Sequence, residues 1–248
     1  MSIECCTPLV WFLSPRECNI QLTLISKIRH GKVTGISVNS REDEDVDLSP
    51  LAQCHDLIRL TVDFPLTQND LEILSKLPHF AELELLTPCQ PDAHSRLEQL
   101  NLRRIKLCRP DIELLRTLVK MKRLTSLSLS SLQDVPESLI KEIVGLPSLS
   151  DLGIRESVID DGFMNALKQS RSLRRLWLDG CDLHRSSGIA VLRETDIEFL
   201  GLQHVQFPLG STIAFSDPKY WRRLQRVEIS SATAPHVQTR SGITVAEF

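Results

Sequence analysis

The chain has 248 residues, 42% of them hydrophobic and 25% charged, with Lys+Arg 29 against Asp+Glu 32 and a formal charge of -3. That balance excludes a bulk polyanion or membrane-surface binder, whose affinity comes from massed lysine and arginine. With Phe 8, Trp 3 and Tyr 1 as the aromatic complement, the core has to be aliphatic.

The first 32 residues carry no repeat. Their longest apolar run, Pro8-Leu-Val-Trp-Phe-Leu13, is far below the roughly 18 residues that cross a bilayer. It also lacks the basic flank and small-residue cleavage site of a secretory signal. The alternation Ile20-Gln-Leu22-Thr-Leu24 reads as a strand, so residues 1–32 are expected to form an N-terminal cap. Seven dispersed cysteines without a CxxC pair, and no Asn-x-Ser/Thr sequon, point to a reducing, cytoplasmic setting.

From residue 33 a period appears. Apolar residues at offsets 0, 3 and 5 recur as Val33/Ile36/Val38, Leu57/Leu60/Val62, Phe80/Leu83/Leu85, Leu102/Ile105/Leu107, Leu124/Leu127/Leu129, Leu149/Leu152/Ile154, Leu173/Leu176/Leu178, Ile197/Leu200/Leu202 and Leu224/Val227/Ile229. The nine starts are 22 to 27 residues apart. Side chains alternate along a strand, so offsets 3 and 5 share one face, and that face must be core. Helical spacing fills several of the intervals: Leu71/Leu74/Leu77, Ile112/Leu115/Leu118, Leu139/Ile140/Ile143, Phe163/Leu167 and Ile189/Leu192. Asp70, Asp111 and Asp160 or Asp161 are placed to cap these segments, and Asp217-Pro218 is a further start signal. Repeated strand-then-helix order predicts an α/β solenoid with a parallel inner sheet of about nine strands and helices on the convex side. The repeats occupy 33–233, interrupted by an acidic turn at 41–47 and a loop at Gly210–Pro218, and a short tail follows at 234–248.

The copy Leu173-Arg-Arg-Leu176-Trp-Leu178-Asp-Gly-Cys181-Asp-Leu183 resembles the leucine-rich-repeat consensus Leu-x-x-Leu-x-Leu-x-x-Asn/Cys-x-Leu at every fixed position. Val158-Ile-Asp-Asp-Gly-Phe163 and Ser187-Gly-Ile-Ala-Val-Leu192 look like the turn and helix start of the ribonuclease-inhibitor-like and bacterial cysteine-containing subtypes. The resemblance implies a right-handed horseshoe that binds other proteins. In the other eight copies the ninth position is Arg41, Pro65, Pro88, Pro110, Leu132, Ser157, Val205 and Ala232, so a continuous asparagine or cysteine ladder is not expected. Cys181 reads as a buried structural thiol.

No GxGxxG, GxxxxGK[ST], HExxH or GxSxG occurs. The seven histidines fall at different phases of the repeat, which does not converge them on a metal. The sequence therefore predicts no enzyme, no cofactor and no metal.

The expected binding surface is the concave face, offsets 2, 4 and 6 of each strand. Its side chains are of mixed sign, which suits a protein or peptide partner rather than a nucleic acid or a membrane, with the chain itself monomeric. Within it Trp177 is flanked at the same offset by Gly153 and Gly201, with Phe199 diagonal to it and Arg155, Arg175, Asp179 and Gln203 around. Aromatics and arginine among small residues are the composition of interface hot spots. The expected function is a non-catalytic interaction scaffold. The alternative is the substrate-recruiting arm of a ubiquitin-ligase-like complex, with Pro8–Leu24 as the recruiting segment.

Overall fold

Each Leu-x-x-Leu-x-Leu segment becomes a strand because its alternation offers one apolar face, and a parallel neighbour one repeat away can cover it edge to edge. The computed structural model describes residues 25–29, 32–40, 46–186, 189–207, 213–214, 221, 223–230, 237–238 and 244–247. The chain divides into two compact units, residues 1–107 and 108–248.

In the first unit the strand order is β1 (Ile25–Arg29), β2 (Lys32–Val38), β3 (Arg59–Val62), β4 (Glu82–Leu85) and β5 (Arg104–Cys108). β1 runs antiparallel to β2, and the others are parallel. The register stacks Ile36 on Leu60, Leu60 on Leu83 and Leu83 on Ile105. In the second unit β6 (Ser126–Ser130), β7 (Asp151–Arg155), β8 (Arg175–Asp179), β9 (Phe199–Gln203), β11 (Arg226–Ile229) and β13 (Thr244–Glu247) are parallel neighbours in that order. A separate two-stranded parallel sheet pairs β10 (Ile213–Ala214) with β12 (Val237–Gln238). Here Leu127, Leu152, Leu176, Leu200 and Val227 form the column. No member of either column is more than 2% exposed, so the offset-3 positions are the centre of the core, as their spacing predicts.

The returns are helical where the sequence has helical spacing. In the first unit α1 (Gln68–Ser75) buries Leu71 and Leu74, and a shorter α2 (His94–Gln99) buries Leu97. The cap of α1 is Thr67 rather than Asp70. Asp70 sits at the third helical position and accepts bonds from Thr67 N (2.9 Å) and Thr67 Oγ1 (2.7 Å), closing a capping box. In the second unit α3 (Ile112–Lys120) and α5 (Asp161–Gln169) are capped by Asp111 and Asp160, which accept from Leu114 N at 2.7 Å and Phe163 N at 2.8 Å. α4 (Glu137–Val144) starts after Pro136 without a side-chain cap. The Ile189–Glu194 return is a 3-10 helix.

One feature of the second unit is not visible in hydrophobic spacing. At offset 7, immediately past β5, β6, β7, β8 and β9, the backbone turns left-handed: φ is 50° at Arg109, 55° at Ser131, 48° at Glu156, 62° at Gly180 and 50° at His204. The turn lets four of these N–H groups reach one more carbonyl of the next strand, while His204 N donates to Ser230 Oγ at 2.9 Å. Arg109, Ser131, Glu156 and Gly180 donate to Ser130, Arg155, Asp179 and Gln203 at 2.8 to 2.9 Å. Thr244–Glu247, within the segment expected as a tail, pairs with β11. Ile20–Leu24 and most of the 41–47 and 210–218 segments lie outside the described residues.

Candidate partner-binding surface

Offsets 2, 4 and 6 of each strand face away from the buried columns. In the first unit this open face is occupied by cross-strand ion pairs. Glu82 on β4 pairs with Arg59 on β3 and with Arg104 on β5, the latter at 3.5 Å. One step along, Glu84 takes Lys106 at 3.3 Å and the Thr61 hydroxyl at 3.5 Å. Each pair is exposed and worth about 0 to 1 kcal/mol, so the ladder fixes side-chain directions more than it stabilises.

The second unit differs. Its offset-4 column reads Ser128, Gly153, Trp177, Gly201 and Glu228. Four of the five are small or aromatic, and Glu228 is covered and paired with Arg226 at 2.5 Å. The indole of Trp177 lies on Gly201: a β-carbon there would meet Cζ3 at 2.7 Å and Cδ2 at 2.8 Å. The other flanking glycine, Gly153, stays clear of the indole and faces Ser128 Oγ, 3.2 Å from where its β-carbon would be. Trp177 and Phe199 pack with ring centroids 4.5 Å apart at 41°, a tilted pair of the kind worth about 0.5 to 1.5 kcal/mol beyond area burial. Both remain half-buried.

The sequence places a cation beside Phe199, and the structure supplies one from another strand. Arg175 stands opposite Phe199 in register, but its guanidinium turns back to Asp151 at 3.4 Å. The cation over the Phe199 ring is Arg226, 6.0 Å from the centroid. Arg155 reaches Asp179 at 3.7 Å, and His204 Nδ1 approaches the same carboxylate at 3.3 Å. Gln203 follows Asp179 in the offset-6 row. Arg226, Glu228 and His204 thus join the six residues named from the sequence. Their offsets, 2, 4 and 7 of adjacent repeats, are the signal that could have found them.

Beneath the surface, polar side chains at the ninth repeat position hold the strand ends. Ser157 Oγ donates to the Arg155 carbonyl at 2.6 Å and accepts from Leu132 N at 3.0 Å. Cys181 is fully buried, with Sγ 3.4 Å from the Ile154 carbonyl. Burial pushes its thiol up to about 11, so it is a neutral structural group at physiological pH. Among the described residues no cluster of three or more His, Cys, Asp or Glu could hold a metal ion. None of their helices is long and apolar enough to cross a membrane.

Parallel strands in constant register, with buried offset-3 columns and returns that are helical where the sequence has helical spacing, define the leucine-rich-repeat fold; in the second unit left-handed turns and inward Ser157 and Cys181 complete the repeat. No family model matches the sequence, and no curated protein matches it. Among solved structures, an internalin (inlF) of Listeria monocytogenes str. 4b F2365 is similar at TM-score 0.43 and 12% identity, covering 82% of this chain and 66% of that one. TLR13 in its complex with ssRNA13 is similar at TM-score 0.49 and 15% identity, covering 85% of this chain and 37% of that one. This chain therefore spans less than two thirds of the length of either.

Proposed function

We propose that the protein is a non-catalytic, cytoplasmic interaction scaffold that binds a protein or peptide partner on the open, concave face of its second unit. The observation that carries this reading is the Trp177/Phe199 pair, seated on Gly201 and bordered by Arg226. Folding gains little from leaving two large rings half-exposed on the face that carries no helices. A partner gains a rigid aromatic anchor, because the glycine beneath and the ring beside it fix the indole before binding. Arg155, Arg175, Asp179 and Gln203 form a polar rim, with the first three already in ion pairs that set their direction. The first unit contributes an open face already closed by its own ion pairs.

The test is a photo-crosslinking amino acid at position 203, beside the rings, in the full chain expressed in its native host. A partner captured there and lost on Trp177→Ala, while the melting temperature stays within about 3 °C, supports the proposal. Capture that survives Trp177→Ala and Phe199→Ala together would place binding elsewhere.

A further inference from the structure

A second surface of the same unit lies where the strands end rather than on their open face. The loops after β6, β7 and β8 enclose a cleft of about 290 Å³, lined by Leu132, Asp134, Val158, Phe163 and Arg185 among others. That volume suits one or two side chains rather than a cofactor. Its apolar component is anomalous for the repeat. Val158, Asp182 and Gln206 are successive members of one bridged row, and polar residues suit that row because it faces solvent. Val158 nevertheless is 51% exposed, more than any other large hydrophobic among the described residues.

The lining carries three carboxylates, Asp134, Glu137 and Asp160, and one guanidinium, Arg185. Two of the carboxylates serve the fold: Asp160 caps α5, and Glu137 pairs with Lys141 at 2.7 Å. Glu137 is thus offset by Lys141, Asp160 by the α5 N terminus and Arg185 by Asp182 nearby, which leaves Asp134 as the carboxylate of the lining whose charge nothing among the described residues offsets. Asp134 is exposed, held at φ 47°, and has no side-chain hydrogen bond or ion pair among the described residues.

We infer that this cleft is a docking site, separate from the Trp177 surface, for a basic, aliphatic segment of a protein partner. Val158 and Leu132 receive an aliphatic side chain, and Asp134 pairs with a lysine or arginine next to it. The unpaired charge of Asp134 selects a basic residue in the partner, and the exposed Val158 selects an apolar one beside it.

The experiment uses the full chain and three fluorescein-labelled octapeptides: Gly-Leu-Lys-Val-Lys-Leu-Lys-Gly, the same with glutamate for lysine, and the same with serine for leucine and valine. Fluorescence anisotropy should show the first binding at least tenfold more tightly than either control. Val158→Ser and Asp134→Asn, both on the surface, should each weaken it fivefold or more with unchanged thermal melts, and Trp177→Ala should leave it unaltered. Equal binding of the serine peptide would reduce the site to diffuse electrostatics and overturn the inference. So would loss with Trp177→Ala alone, or a sedimentation-detected dimer abolished by Val158→Ser, which would make the occupant a second copy. Because the Trp177 variant is read separately, failure here leaves the open-face proposal to its own test.

Discussion

Trp177 and Gly201 are complementary in shape: the indole on β8 occupies the space that any side chain on β9 at that register would need. The glycine is therefore a requirement of the aromatic surface, and the two residues form one unit.

Gly201→Ala should lift the indole off the sheet. The β-carbon contacts at 2.7 and 2.8 Å are too short to be absorbed, and overpacking of this kind costs about 1 to 3 kcal/mol. Gly153→Ala, whose nearest neighbour is the Ser128 hydroxyl at 3.2 Å, should cost less. Urea midpoints of the two variants, with the shift of Trp177 emission read against a Trp177→Phe control, check the contrast. Equal costs would mean that the indole does not rest on Gly201.

Leu176 is fully buried, stacked between Leu152 and Leu200. Truncation to alanine should cost about 2 to 5 kcal/mol, because an array of repeats is held by its nearest-neighbour interfaces. An unmoved urea midpoint would contradict the column.

The left-handed positions predict opposite signs for opposite substitutions. At Gly180, φ 62°, an added β-carbon would meet nothing closer than 3.6 Å, so Gly180→Ala isolates the backbone cost, about 1 to 2 kcal/mol. At Glu156, φ 48°, Glu156→Gly removes that strain and should raise stability by up to about 1 kcal/mol once the freer unfolded chain is counted. Chemical denaturation of both variants tests the pair. A stabilising Gly180→Ala would refute the conformation.

Cys181 gives a pH prediction. Its thiol is raised from 9.0 to about 11 in the fold, so folding is unaffected by this group below pH 9. Above it the unfolded chain ionises and the folded one does not, and stability is lost progressively as pH climbs toward 11. The loss is on the order of 2 kcal/mol. Lysines titrate in the same range, so the measurement is the difference between the wild type and Cys181→Ala. Parallel pH profiles for the two would show that the thiol is not shielded.

Sequence and structure agree most closely where the signal is periodic. Leu60, Leu83, Leu127, Leu152, Leu176 and Leu200 could be assigned to the core because alternation and a near-constant interval leave few other places for them. Asp111 and Asp160 could be read as caps because each precedes an apolar helical pattern. Thr67 was harder to see, since a capping box puts a carboxylate three residues later and Asp70 can mimic the cap itself. The left-handed turns were hidden because only one of the five positions, Gly180, carries the residue that advertises them. The exchange of Arg175 for Arg226 over Phe199 was hidden for another reason: a long side chain chooses among carboxylates, and Asp151 one strand away outcompetes a ring.

The intervals between repeats run from 22 to 27 residues, yet from β2 to β5 and from β6 to β11 every parallel repeat strand meets its neighbour with no slip along the column. All the length variation is therefore absorbed in the returns. This makes the two sides of the molecule unequal as sites of insertion. A single residue added between Leu176 and Trp177 in β8 would shift Trp177 to the core offset and Leu178 to the open face. Several residues added at Pro78-His79, exposed between α1 and β4, would cost mainly loop entropy, about 0.6 kcal/mol per doubling of loop length. That turn is accordingly where a fluorescent or affinity tag can enter the chain without disturbing the surface that Trp177 occupies.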